Sequence, residues 1–322
     1  MRKTGFIYSP VYLKHNTGNH PENLNRLIAI LRCVEKEKLK GTLINISPLR
    51  ATVEQISWIH TKEYIKSIEQ ACKTCSEQDS PHYRMNLDAD TVISGDSYNV
   101  ALFAAGGVIA GVDAVFKGKV DNVFCAVRPP GHHAEKDRAM GFCIFNNIAI
   151  GAAYAQKIYK INKIFIVDWD LHHGNGTQHT FYNDPAVFYT SIHQQNIFPG
   201  TGIPDEIGEG EGRGFTMNLP LPAGQGDKEY ISIFKERICP QIIHYRPDLI
   251  MLSAGFDTHR NDPLGSMKVT SEGFGKLTDI ICSLADKTCQ GRIVSVLEGG
   301  YDLEALGESV VFHLKCLIGE KL

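Results

Sequence analysis

Apolar and polar positions along the chain sort into short apolar runs and amphipathic stretches. Phe6-Ile7-Tyr8 predicts a first strand. Pro21-Glu22 predicts a helix start, continued at helical spacing by Leu24, Leu27, Ile28 and Leu31, with Arg26 among them as an ordinary surface arginine. Tyr64, Ile65, Ile68 and Cys72 form the stripe of a helix over 61–76, and the polar stretch over 76–84, which contains Pro81, predicts an exposed loop. Ser94, Gly95 and Asp96 predict the cap of a long helix over 97–116, rich in alanine and glycine and therefore closely packed. From Val120 the pattern becomes regular. Strands are expected over 123–127, up to Val167, and over 187–191, 249–252 and 293–297; helices alternate with them over 145–160, 176–182, 227–244, 271–289 and 303–318. Such alternation predicts an α/β fold, a central mostly parallel sheet with helices on both faces. With no internal repeat and no linker, residues 1–322 are expected to form one domain.

Four of the predicted strands end in polar signatures. Val127 leads into Arg128-Pro129-Pro130-Gly131-His132-His133, and Val167 into Asp168-Trp169-Asp170-Leu171-His172. Leu252 leads into Ser253-Ala254-Gly255-Phe256-Asp257, and Leu297 into Glu298-Gly299-Gly300-Tyr301. Ligands of open parallel sheets bind beyond the carboxyl ends of the strands, so these ends point to one site. On an extended strand Asp168, Asp170 and His172 share a face. One aspartate at a strand end is ordinarily a turn or cap residue; Asp170 and His172 with Asp257 form a catalytic metal set, three protein ligands and an open position, suited to Zn²⁺ and also to Fe²⁺. A binuclear hydrolase would want further carboxylates where Gly174 and His259 stand, so one ion is expected.

His132 and His133 follow a rigid Pro-Pro-Gly turn; beside a metal they make a proton-transfer pair, with Asp168 and Asn175 as partners for their outer nitrogens. A carboxylate partner raises imidazole basicity more than an amide does, so the two histidines should differ. The glycines before Tyr301 allow close backbone approach, leaving the phenol free to donate to a developing oxyanion. Together these groups describe hydrolysis of an amide or related acyl bond.

Composition narrows the partners. A net charge of -3 over 322 residues, with no basic block, leaves no electrostatic footprint for nucleic acid or an anionic membrane. No run is read as a membrane span, and the first residues lack the apolar core of a signal peptide, so a cytoplasmic location is expected. Nine scattered cysteines argue for a reducing compartment, and Cys72 and Cys75 read as a chance pairing of thiols.

The pieces Arg128-Pro129-Pro130-Gly131-His132-His133-Ala134, Gly141-Phe142-Cys143, Val167-Asp168-Trp169-Asp170-Leu171-His172-His173-Gly174-Asn175-Gly176-Thr177-Gln178, Phe198-Pro199-Gly200-Thr201-Gly202, Ser253-Ala254-Gly255-Phe256-Asp257 and Leu297-Glu298-Gly299-Gly300-Tyr301 span most of the chain. In these the sequence resembles the zinc-dependent histone deacetylase family, with its bacterial and acetylpolyamine-cleaving relatives. The resemblance implies an arginase-like fold and a deacetylase acting on N-acetyl-lysine of proteins or peptides. It implies Asp170, His172 and Asp257 as Zn²⁺ ligands, His133 as general base and acid, His132 as its electrostatic partner and Tyr301 as polariser of the carbonyl. Phe142 and Phe198, beside Gly141, match the aromatic pair lining the acyl-lysine tunnel. Asp168 and Ser191, with the carbonyls of Asp170, His172 and Ile192, match a K⁺ site, and Arg26 matches the arginine of an acetate-release channel. Asp88 or Asp90 matches the residue that holds the substrate backbone. Asn175 and the Leu-Glu-Gly-Gly-Tyr motif resemble class II and bacterial members. Leu264 stands where polyamine-preferring relatives carry a glutamate, which tilts against a small acetylated amine. A non-catalytic acyl-lysine binding protein is the reading from another class, disfavoured because the whole catalytic set is present.

Overall fold

Strands buried on both faces carry no polar alternation, and the central apolar runs of this chain behave accordingly. In the structure, a computed structural model describing residues 1–78, 80 and 83–321, the first half of the chain supplies β1 (Thr4–Ile7), α1 (Asn25–Lys36), β2 (Ile44–Ile46), α2 (Val53–Ile56), α3 (Lys62–Ser76), β3 (Met85–Asn86), β4 (Val92–Ile93), α4 (Ser97–Phe116), β5 (Asn122–Cys125) and α5 (Asn147–Tyr159). Then follow β6 (Ile164–Asp168), α6 (Asn175–Phe181), β7 (Val187–Gln194), β8 (Thr216–Leu221), α7 (Asp227–Ile233), α8 (Cys239–Tyr245), β9 (Leu249–Ala254), α9 (Ser271–Thr288), β10 (Ile293–Leu297) and α10 (Leu303–Ile318). Eight strands form one sheet in the order β2-β1-β5-β10-β9-β6-β7-β8. Every neighbouring pair is parallel; β3 and β4 make a separate antiparallel ribbon.

The two helical layers can be read from one strand. Val123 and Cys125 of β5 lie against Gly111 of α4, whose missing side chain lets helix and sheet approach closely. Phe124 points the other way and meets the ring of His313 in α10 edge-on at 5.3 Å. Helices α4 and α5 pack together on the first face, and α1, α10 and α9 pack in sequence on the second. The result is one α/β domain.

Several expectations from the sequence need correction. Helix α1 begins at Asn25, because Asn23 Oδ1 accepts the Asn25 N–H at 2.9 Å and holds Pro21 to Leu24 in a turn. Its buried stripe is Arg26, Leu27, Ile30 and Val34, whereas Ile28 faces solvent and Leu24 and Leu31 are half-buried. Arg26 is fully buried, so the surface reading fails. Asp96 sits at the start of α4 without a side-chain cap; Ser97 Oγ accepts the Ser94 N–H at 2.8 Å instead. Helix α4 has 20 residues and a single charge, Asp113, and is long and apolar enough to cross a membrane, contrary to expectation; most of it is buried inside the protein. The helix expected over 227–244 contains a wider turn at Phe234–Ile238, which relaxes the hydrogen-bond ladder just before Pro240, a residue without an N–H. Of the loop expected over 76–84, Ser76 ends α3, residues 77, 78, 80, 83 and 84 are exposed, and Pro81 lies outside the described residues.

Candidate active site

Sheet order decides where the polar signatures meet. Strands β5, β10, β9 and β6 are consecutive neighbours, so all four signatures emerge side by side at one sheet edge. Strand β6 stops at Asp168, so Asp170 and His172 do not share a strand face with it; they stand in the loop beyond. Two turns of the same kind replace the strand. Asp168 Oδ1 accepts the Asp170 N–H at 3.1 Å, and Asp170 Oδ1 accepts the His172 N–H at 2.9 Å. Each carboxylate thereby folds the chain two residues ahead, which is why the alternate spacing survives outside a strand.

Asp170, His172 and Asp257 bring one donor atom each within 4.8 Å of one another. Backbone N–H groups fix the outer carboxylate oxygens: Gly299 donates to Asp170 Oδ2 and Leu171 to Asp257 Oδ1, both at 2.8 Å. The inner oxygens face His172 Nδ1, which is 3.3 Å from Asp170 Oδ1 and from Asp257 Oδ2. Asp257 Oδ2 is buried without a hydrogen-bond partner. Burial and then the charge of Asp170 push the Asp257 carboxyl up to about 7. Two carboxylates crowd one imidazole, and Asp257 Oδ2, which only that ring approaches and without a hydrogen bond, marks where a cation would relieve them. The set fits a metal ion of the kind held by oxygen and nitrogen donors. A second group, His132, Cys143 and Glu298, is equally close, but its imidazole is bonded to Asp168 and burial keeps its thiol protonated.

The two histidines differ through their partners. His132 Nδ1 is 3.0 Å from Asp168 Oδ2, which Tyr189 also donates to at 3.1 Å. Burial opposes the charge on His132, yet Asp170 and Asp168 push it up to about 10. His133 Nδ1 is 2.8 Å from Asn175 Oδ1. Burial, then the charges of His132 and His172, lower His133 well below the usual imidazole value, which favours its neutral form. The backbone beneath the pair is pinned by Glu298, whose Oε2 accepts from Gly131 at 2.7 Å and from His132 at 3.2 Å.

Tyr301 stands opposite on the β10 loop. The Arg26 guanidinium lies over its ring, 5.0 Å from the centroid, and donates to the Gly300 carbonyl at 2.7 Å. Asp262 Oδ2 accepts the Tyr301 N–H at 2.7 Å. Arg26 in turn belongs to a buried cluster with Glu22 and Arg128, all 0% exposed. Glu22 and Asp262 escape sequence reading, the first because Arg128, which takes both of its oxygens, stands 106 residues away, and the second because an Asp-Pro pair in a loop reads as a turn.

Aromatic rings form the rim. Phe142 meets Tyr301 edge-on at 5.7 Å, and Phe198 meets His133 edge-on at 5.0 Å. Gly141, at φ 54°, leaves the space a side chain would take from the His133 and Phe198 rings. Leu264 is 39% exposed. Asp88 Oδ1 accepts the N–H groups of Asp90 and Thr91 at 3.1 and 2.6 Å, so Asp88 shapes the turn, while the Asp90 carboxylate faces the Gly141 backbone at the rim. On the other side of β6, Asp168 pairs in register with Ser191 of β7, and Ser191 and Ile192 are fully buried.

A parallel sheet with carboxylates and imidazoles gathered at its central strand ends has the arginase and deacetylase architecture. The chain matches the histone deacetylase domain over residues 20–317. It is 40% identical over 326 residues to histone deacetylase 14, chloroplastic, of Arabidopsis thaliana, covering 98% of this chain and 77% of that one. It is 38% identical over 304 residues to a probable deacetylase of Archaeoglobus fulgidus, covering 94% and 82%. The crystal structure of the HDA15 HD domain superposes with a TM-score of 0.93 at 35% identity, covering 100% of this chain and 91% of that one. The chain belongs to the histone deacetylase family and is a hydrolase acting as a deacetylase.

Proposed function

We propose that the chain removes acetyl groups from lysine side chains of proteins or peptides, yielding lysine and acetate. The observation that carries this reading is the placement of the His133 imidazole, its Nδ1 2.8 Å from Asn175 Oδ1, between an Asp-His-Asp donor set and a rim of Phe142 and Phe198. Asp170, His172 and Asp257 would hold Zn²⁺, or Fe²⁺ in its place. A bound divalent ion of this kind acidifies water and polarises a carbonyl.

His133 accepts a proton from the attacking water at Nε2 and returns it to the departing amine nitrogen. His132, with Asp168 behind it, supplies positive charge beside this transfer. Tyr301 donates its phenol proton to the carbonyl oxygen as negative charge develops there. Phe142 and Phe198 clasp the aliphatic stem, and Asp90 rather than Asp88 takes the substrate backbone N–H. Asp168 and Ser191, with the carbonyls of Asp170, His172 and Ile192, would hold K⁺ and stiffen the loop that carries two ligands. Arg26 lines the path by which acetate leaves.

Turnover on acetyl-lysine peptides against acetylated diamines tests the substrate class; preference for the diamines would overturn it. The apolar, half-exposed Leu264 gives a distant ammonium no partner. L264E should therefore shift the ratio of kcat/KM toward the acetylated diamine by about tenfold, the effect of one charge pair of roughly 1–2 kcal/mol in partly screened surroundings.

A further inference from the structure

We propose that Glu135 is a positioning residue for His133: by accepting the amide N–H of Asn175, it turns the amide oxygen onto the imidazole and fixes which ring nitrogen carries the proton. This rests on the reading of His133 as the base. An asparagine side chain presents an acceptor at one end and a donor at the other, nearly alike in shape. With Oδ1 at 2.8 Å from His133 Nδ1, that nitrogen must donate, and Nε2 keeps the lone pair that accepts the proton from water. Turned over, the amide would offer its NH₂ to Nδ1 and favour the unreactive tautomer. Something must break this symmetry.

Glu135 does so. Its Oε1 lies 2.6 Å from Asn175 Nδ2, and an ionised carboxylate can only accept. The same Nδ2 lies 3.2 Å from the His133 carbonyl oxygen, a second acceptor that agrees with this orientation. Glu135 is anchored from outside by His179, whose Nδ1 is 2.9 and 3.1 Å from its two oxygens and whose side chain is 49% exposed. The line His133, Asn175, Glu135, His179 thus runs from the active site to a surface pocket that Trp58, Lys136 and Thr180 complete. A carboxylate at 175 would need no such orientation, since its two oxygens are equivalent, and it would repel Glu135. Asn175 and Glu135 therefore act as one unit, with the negative charge set one residue further from the imidazole than Asp168 is from His132.

The test is a double-mutant cycle on the metal-loaded enzyme with E135Q, N175D and the double variant, separating kcat from KM on an acetyl-lysine peptide. Long-range ¹H–¹⁵N spectra of the His133 ring are recorded in parallel. E135Q should lower kcat by about 10–100-fold with KM little changed, the range typical of outer partners that orient a working group. Its His133 spectrum should change from the single Nδ1–H tautomer to a mixture, because a glutamine amide can present either its oxygen or its NH₂ to Asn175, and E135D, which keeps a group that can only accept, should restore both readouts. In the N175D background, E135Q should raise kcat or leave it unchanged. An equal loss in both backgrounds, or an unaltered tautomer in E135Q, would overturn the proposal. Should wild type fail on acetyl-lysine, the functional reading falls, while the tautomer spectra still decide the role of Glu135.

Discussion

Tyr301→Phe is expected to lower kcat by about 10²–10³-fold, the usual loss on removing one oxyanion donor, while metal content and KM change little. The substitution is clean because the ring is held independently of its hydroxyl. Phe142 packs against it edge-on, Arg26 lies over its face, and Asp262 fixes the backbone N–H. Only the proton offered to the carbonyl oxygen is lost. Burial holds the phenol well above its ordinary value, so it stays protonated across the working pH range. Metal analysis of the purified variant alongside steady-state kinetics checks both halves of the expectation. An unchanged rate would remove Tyr301 from the chemistry.

Glu22→Gln is expected to cost about 3–5 kcal/mol of stability, as breaking one partner out of a buried ion cluster does. Glu22 takes a two-pronged contact from Arg128, at 2.6 and 2.8 Å, and a third from Arg26 at 3.3 Å. Without its charge, two guanidinium groups remain buried with no anion between them. Wild-type acid sensitivity should report the same cluster. Burial opposes ionisation of Glu22, but Arg128 above all holds its carboxyl down, from the ordinary 4.5 to about 2. The folded value lies below the unfolded one, so this contribution is present above pH 4.5 and is lost as pH falls toward 2. It corresponds to about 3 kcal/mol, at 1.36 kcal/mol for each unit. Urea unfolding at several pH values should show a slope over that window in wild type, and a shallower one in E22Q. Equal midpoints at pH 7 would contradict the cluster's importance.

These two residues also show what a sequence can and cannot disclose. Tyr301 was legible because a strand buried on both faces reads as an apolar run, and the polar residues after it stand out. The same logic reaches Asp168, Asp170, His172 and Asp257, and neighbouring strands then bring them together. Even so, the supposed strand face was replaced by two carboxylate-capped turns, because a short strand can hand its spacing to Asx geometry without changing the residue pattern. Local pattern alone puts Arg26 at the surface, since its counter-charge Glu22 is shared with Arg128, more than a hundred residues away; the family resemblance implies an internal channel instead. Glu135 and Asp262 gave no signal, because a loop acid usually does nothing more than meet water. Their importance comes from the backbone and amide groups that tertiary packing sets against them.

The central claim is that a metal held by Asp170, His172 and Asp257 makes this chain an acetyl-lysine deacetylase. Acetate release from an acetyl-lysine peptide, measured before chelation, after it, and after adding back one equivalent of Zn²⁺, tests this most directly. Loss of release on chelation, recovery at one equivalent of added ion, and no recovery in an Asp257→Asn variant are the expected results. Release that persists undiminished in the chelated, metal-free protein would contradict the account.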